Sequence, residues 1–131
     1  MKRKPLVALL VVKNKSILAE IRKSTDNFGV GAIWIPGGHI EEDEEPEKAM
    51  LREAKEEMAI SPIKYYYLCK LPWEKDGKHY TIDYFVCVEW KGEIKNNEAS
   101  ELIWLDEKQI DKLDENVDRI AFKKYLEKIN A

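Results

Sequence analysis

The stretch Gly37-Gly38-His39-Ile40-Glu41-Glu42-Asp43-Glu44-Glu45-Pro46-Glu47-Lys48-Ala49-Met50-Leu51-Arg52-Glu53-Ala54-Lys55-Glu56-Glu57-Met58-Ala59-Ile60 decides how the chain is read. Pro46 suits the first turn of a helix, where its missing N–H costs nothing. Pro62 bars continuation, so a helix over residues 46–58 is expected. At about 100° per residue, Met50, Leu51, Ala54 and Met58 share one arc. Glu53, Glu56 and Glu57 share a neighbouring arc, because they stand at i, i+3 and i+4. Lys48 and Lys55 lie on the far side. Like-charged pairs at these spacings each cost about a few tenths of a kcal/mol, and anions near a helix C-terminus oppose its dipole.

The helix therefore carries a local penalty that needs a reason. From Glu41 to Glu57 nine acids face three bases, a net of −6, whereas the whole chain carries −3. A divalent cation supplies one reason: clustered carboxylates suit Mg²⁺, Mn²⁺ or Ca²⁺ rather than zinc. A solvated acidic face paired with lysines or arginines from elsewhere is the other. The order of the flanking residues favours the first. Pro36-Gly37-Gly38 lets the backbone turn sharply and approach a ligand, an acidic loop follows, and Arg52 stands where its planar fork can pin a carboxylate.

Outward from this stretch the chain alternates strands and turns. Leu6–Val12 and Ile17–Ile21 read as a strand hairpin joined by Lys13–Ser16. Residues 23–31 form a loop, and Ala32–Ile35 a short strand ended by Pro36-Gly37-Gly38. Ile63–Leu71 and Tyr80–Trp90 read as strands around the turn Lys75-Asp76-Gly77-Lys78. Lys91–Ser100 is a polar loop, and Leu102–Leu105 a short strand. Val117, Ala121, Phe122, Tyr125 and Ile129 recur at helical spacing, so a second helix closes the chain. Two helices and about six strands imply an α+β fold, a mixed sheet with helices packed on it.

Composition excludes several classes. At 131 residues, 44% hydrophobic and 36% charged, the chain is globular rather than disordered. A net charge of −3 without a basic stripe disfavours nucleic acid, RNA ends included. Cys69 and Cys87 cannot make a disulfide scaffold or a cysteine zinc site, so a reduced, cytoplasmic setting is expected. The start Met1-Lys2-Arg3-Lys4 imitates a secretory leader, but no small-x-small cleavage site follows. No stretch approaches the roughly 20 apolar residues of a membrane span.

The quoted stretch resembles the box of the Nudix hydrolases, G-x5-E-x7-R-E-U-x-E-E-x-G-U with U apolar. Here it reads Gly38, five residues, Glu44, seven residues, then Arg52-Glu53-Ala54-Lys55-Glu56-Glu57-Met58-Ala59-Ile60. Every charged position matches within the twenty-three residues. Ala59 departs, standing where the family has glycine. Alanine tolerates left-handed φ poorly, so the helix exit need not follow the family's, while the chemistry is expected to persist. The resemblance implies an α/β/α sandwich with a mixed β-sheet, formed by residues 1–131 as one Nudix domain. It also implies hydrolysis of a nucleoside diphosphate linked to a moiety X, with Mg²⁺ as the metal and Mn²⁺ as a substitute.

On this resemblance Glu56 and Glu57 are the main metal ligands, and the Gly38 carbonyl completes the shell. Glu53 is a ligand or the general base. Glu98 or Glu101 of the later loop is the alternative base, and water without a dedicated base a third option. Arg52 orients Glu44 or a neighbouring acid. Arg22 lies where the family often keeps a phosphate-contacting base, or is a plain surface charge. Trp34 stacks on a base or packs in the core; Trp104, Tyr80 and Tyr84 carry the same two readings. Phe28 lies in the glycine-bearing loop and is a candidate for a pocket rim. His39 is not expected to be catalytic, and His79 is expected in solvent. Alternation keeps Tyr65, Tyr66 and Tyr67 from all facing inward.

The expected partner is a small-molecule nucleotide, with no membrane. A homodimer is compatible with the family, though no interface is visible in the sequence. Housecleaning of nucleoside triphosphates is the leading activity. Dinucleoside polyphosphates, sugar nucleotides and diphosphoinositol phosphates are the alternative substrates. A non-catalytic nucleotide-binding domain, or a simple cation- or protein-binding domain with an acidic face, are the readings outside enzymology.

Overall fold

In the computed structural model the described residues are 2–22, 31–97 and 101–131. Strand β1, Lys4–Lys13, is the spine. Its apolar run alternates between two cores: Val7, Leu9 and Val11 join one cluster, while Ala8, Leu10 and Val12 join the other. A strand buried on both faces reads as a continuous hydrophobic run rather than an alternation. On one side lies helix α1, Pro46–Met58, through Ala49, Met50, Ala54 and Met58. On the other lies helix α2, Asn116–Ile129, through Val117, Ala121, Phe122, Tyr125 and Leu126. The layers are helix, sheet and helix, the expected α/β/α sandwich.

Among the described residues seven strands form the sheet. They are β1, β2 (Ser16–Ile21), β3 (Ile33–Trp34), β4 (Gly37–His39), β5 (Ser61–Lys75), β6 (Lys78–Lys91) and β7 (Glu101–Leu105). The order is β3-β2-β1-β6-β5, with β4 on β1 and β7 on β2. The sheet is mixed: β1 runs parallel to β6, from Lys4 opposite Tyr80 to Val11 opposite Cys87, and antiparallel to β4. A 3-10 turn, Glu107–Lys112, links β7 toward α2. Both hairpins use two residues at positive φ, Asn14-Lys15 and Asp76-Gly77, matching the twist of their strands. Among the described residues no helix is long and apolar enough to cross a membrane.

The structure corrects several expected boundaries. The hairpin β5–β6 runs further than Ile63–Leu71 and Tyr80–Trp90, because the tight turn keeps polar pairs such as Glu74–His79 in register. The glycine turn after Pro36 is itself a strand, with Gly37 so close to β1 that an added Cβ would collide with the Val7 carbonyl and sit 2.9 Å from the Ala8 Cα. Strand β3 covers only Ile33–Trp34. Ile129 ends α2 outside the packed stripe, which Leu126 completes instead. The tyrosine run alternates as expected: Tyr65 packs on the α1 side and Tyr66 on the α2 side, while Tyr67 is half-exposed beside a register slip.

Candidate active site

Helix α1 and the turn before it assemble around one guanidinium. Arg52 donates from Nε to Glu44 Oε2 at 2.8 Å and from Nη2 to Glu44 Oε1 at 2.9 Å, a bidentate grip. Its Nη1 donates to Glu53 Oε1 at 3.0 Å and Glu56 Oε2 at 3.2 Å. Its Nη2 also donates to the His39 carbonyl at 3.0 Å, which ties the helix to the end of β4. The loop is folded to present Glu44: the Glu41 N–H donates to Glu44 Oε1, the Glu44 N–H to the Glu41 carbonyl, and Asp43 takes a positive φ of 65°. Arg52, then the Glu41 N–H, holds the Glu44 carboxyl down to about 2. Glu44 and Glu53 together hold the Arg52 guanidinium firmly protonated. The carboxylate repulsion read from the helix wheel is thus relieved from within the helix, by Arg52 rather than by Lys48 or Lys55.

Gly38 is required by contact. A Cβ there would strike the Glu53 carboxylate, with Oε2 at 2.7 Å. Glu57 is buried, with 6% exposure, on the inner side of the helix, whereas the Glu56 side chain is 49% exposed. Among the described residues no three acids, histidines or cysteines form a closed metal cage as they stand. The donor set nevertheless fits a hard divalent cation. It is all carboxylate oxygen, and a cationic nitrogen, Arg52 Nη1, already lies within 3.2 Å of oxygens from both Glu53 and Glu56. Glu53, Glu56 and Glu57 are therefore the residues that would hold such an ion.

The helix exit answers the question raised by Ala59. It adopts the left-handed conformation a glycine would take, with φ 61° and ψ 27°. Its N–H donates to the Lys55 carbonyl at 3.0 Å. The segment after β6 closes over this end: Lys95 N–H donates to the Met58 carbonyl, Asn97 N–H to the Glu57 carbonyl, and Asn97 Nδ2 to the Glu56 carbonyl. The last carbonyls of α1 are thus satisfied by a distant part of the chain.

Beside the box lies a cavity of ≈ 160 Å³. Gly37, Gly38 and His39 form part of its lining, so it adjoins the carboxylate site. Trp34, Trp73 and Tyr80 wall it, with Trp73 edge-on to Trp34 at 5.6 Å and tilted on Tyr80 at 5.0 Å. Trp73 is fixed by Nε1–H donation to Glu115 at 3.0 Å. Asp118, buried, also lines the cavity; it accepts from the Tyr84 hydroxyl at 2.6 Å and from the Ile35 N–H at 3.0 Å. Burial pushes its carboxyl up to about 6 despite those two bonds. Arg22 and Glu20 complete the polar lining.

The structure brings Gly38, Glu44, Arg52, Glu53, Glu56 and Glu57 together. Arg22 and Trp34 line the adjoining cavity, and so does Tyr80, while Tyr84 lies in the core and reaches Asp118. Trp104 stands on β7 opposite Leu18, 40% exposed and outside the cavity lining. Glu101 opens β7 opposite Ile21 and is exposed. Phe28 and Glu98 lie outside the described residues. His39 contributes its carbonyl to Arg52, and His79 pairs with Glu74. The sequence reading passed over Glu20, Trp73, Glu115 and Asp118. Asp118 carried a signal: it sits beside Val117 on the buried stripe of α2, where an isolated acid is out of place.

The sequence matches the NUDIX domain family over residues 2–125. It is 31% identical over 100 residues to an 8-oxo-dGTP diphosphatase of Proteus vulgaris, covering 76% of this chain and 89% of that protein. The 8-oxo-dGTP diphosphatase of Escherichia coli K12 is 30% identical over 104 residues, covering 79% and 81%. Among solved structures, the MutT protein from Methanosarcina mazei Go1 superposes with a TM-score of 0.84 at 19% identity, covering 100% of this chain and 99% of that one. The MutT NUDIX hydrolase from Burkholderia pseudomallei gives 0.80 at 23% identity, covering 95% and 98%.

Proposed function

The chain belongs to the NUDIX family and is a pyrophosphohydrolase, and we propose on that premise that it clears unwanted nucleoside triphosphates from the nucleotide pool. The observation that carries this reading is the adjacency of two sites. A row of carboxylates suited to a divalent ion and an aromatic-walled cavity share Gly37, Gly38 and His39. A nucleotide has the same two ends, an anionic phosphate chain and a planar base. The relatives named 8-oxo-dGTP diphosphatase support a purine with an altered base as the leading substrate.

Mg²⁺ is the proposed metal, with Mn²⁺ able to replace it. Bound by Glu53, Glu56 and Glu57, it supplies charge neutralisation for the phosphate oxygens and a more acidic water. The chain's own residues do the rest. Arg52 keeps Glu44 ionised and fixes where Glu53 points. Gly38 leaves room for that carboxylate, and its carbonyl is available as a further oxygen donor. The proton of the attacking water goes to Glu53 where that carboxylate is not a metal ligand, to Glu98 or to Glu101 at the start of β7, or to solvent without a dedicated base. Trp34, Trp73 and Tyr80 hold the base, which orients the phosphate chain before reaction. The two free thiols, Cys69 and Cys87, support a cytoplasmic setting.

The test is turnover of a panel of ordinary and oxidised nucleoside triphosphates, sugar nucleotides and dinucleoside polyphosphates, with Mg²⁺ and with chelator. Metal-dependent release of a nucleoside monophosphate from a triphosphate is expected, and Glu57→Gln should abolish it while the circular dichroism stays native. Turnover that survives either the chelator or Glu57→Gln would remove the helix from the reaction.

A further inference from the structure

The polar lining of the cavity holds a pair whose chemistry the reaction leaves unexplained. Glu20 on β2 is only 3% exposed, a cost that a carboxylate bears when a cation answers it. Arg22 Nη1 donates to Glu20 Oε1 at 2.8 Å. The two stand at i and i+2, so they project from the same face of the strand. Trp34 is the direct cross-strand partner of Glu20. The Arg22 guanidinium carbon lies 4.9 Å from the Trp34 ring centroid, over its face. All three residues line the cavity.

Each contact restrains a different freedom. A guanidinium over an indole is attracted to the ring but can slide on it. A buried carboxylate at hydrogen-bond distance fixes one edge of the fork, and so fixes the plane. Trp34 also meets Trp73 edge-on, with ring centroids 5.6 Å apart, so an indole held under Arg22 fixes part of the aromatic wall that the two tryptophans form together. Arg22 thereby forms part of the wall of the base-holding cavity.

Resting on the nucleotide reading above, we infer that Glu20 is a positioning residue for nucleotide specificity: it helps hold Arg22 on the face of Trp34 and thereby sets the shape and polarity of that wall of the base-binding cavity. Glu20 does not touch the phosphates, and its effect passes through Arg22. Removing it takes away the charge-assisted bond that fixes one edge of the guanidinium, and so changes how Arg22 lies on the Trp34 face. Glu20→Gln keeps a side-chain oxygen that accepts from Nη1 and preserves most of the geometry. Arg22→Lys replaces the planar fork by a compact ammonium, which cannot cover the indole in the same way.

The experiment measures KM and kcat for a nucleoside triphosphate with Mg²⁺. In parallel, the matching nucleoside monophosphate is titrated onto metal-free protein and followed by tryptophan fluorescence. Glu20→Ala should raise both KM and the monophosphate Kd about five- to tenfold, with kcat within twofold of wild type. Glu20→Gln should fall between wild type and Glu20→Ala, and Arg22→Lys should resemble Glu20→Ala. Because Glu20 works through Arg22, adding Glu20→Ala to Arg22→Lys should change KM by less than twofold. A merely structural carboxylate would lower the melting temperature and leave KM and Kd alone, and that result overturns the inference. So do independent, multiplying effects in the double variant, or a wild type that binds no monophosphate. A wild type that binds monophosphate with the expected dependence on Glu20 but turns over no triphosphate would sink the proposed activity and leave this inference standing.

Discussion

Ala59→Gly should stabilise the protein, and the size of the gain follows from the helix exit. Ala59 holds φ 61° and ψ 27°, a conformation that costs an L-residue with a Cβ roughly 1–2 kcal/mol. The exit cannot relax to avoid it. Ile60, the next residue, is fully buried, and the Ala59 carbonyl lies so close to Gly92 that a Cβ there would sit 2.9 Å away. Glycine removes the strain but has more backbone freedom to lose on folding, which returns about 0.5–1 kcal/mol. The net gain is about 0.5–1 kcal/mol. For a chain of this length that raises the melting temperature by about 2–4 °C, and the urea midpoint by about 0.2–0.5 M. Equilibrium urea unfolding followed by tryptophan fluorescence reads it directly, provided m is unchanged. Ala59→Val, with a branched Cβ, should lower the midpoint, a loss of more than about 1 kcal/mol in unfolding free energy, on the order of that same strain. A midpoint for Ala59→Gly at or below wild type, or the same response from both variants, would refute the strain account.

Three other outcomes are expected. Gly38→Ala should cut kcat/KM sharply at little cost in stability, because only the Glu53 side chain must give way. Gly37→Ala should cost about 1–3 kcal/mol, because its Cβ meets backbone of β1; kinetics and urea unfolding of the pair separate the two. Arg52→Lys should leave the fold intact, let the Glu44 carboxyl climb from about 2 toward its ordinary value, and lower kcat/KM about tenfold or more. Carboxyl NMR titration and steady-state rates would show it, and unchanged rates would detach Arg52 from the site. Asp118 has its folded pKa raised to about 6 from 3.8, so the folded state binds the proton more tightly than the unfolded one. Its contribution to stability therefore falls as pH rises from about 4 to 6 and is level above, a span on the order of 3 kcal/mol. Stability curves of wild type and Asp118→Asn should diverge across that window, and parallel curves would argue against a desolvated, titrating Asp118.

What the sequence determined by itself was whatever spacing along the chain controls. Glu53, Glu56 and Glu57 share a helix face because the α-helix repeats every 3.6 residues. The Leu6–Val12 run reads as a strand, and Asp76-Gly77 reads as a hairpin turn, because backbone geometry leaves few alternatives. The box is read by resemblance rather than by these rules, and the exit at Ala59, left open by the sequence, is settled by the fold, which imposes the left-handed conformation on an alanine. Only the tertiary structure decided the cavity. Its lining comes from β1 to β6 and α2, and Glu20 and Asp118 both lie in it across ninety-eight residues of sequence. No period along the chain encodes that placement. It is fixed by β1, which pairs with β4 and β6 and packs both helices, so that polar groups distant in sequence are desolvated in one cavity and each must find its own partner, Arg22 for Glu20 and Tyr84 for Asp118.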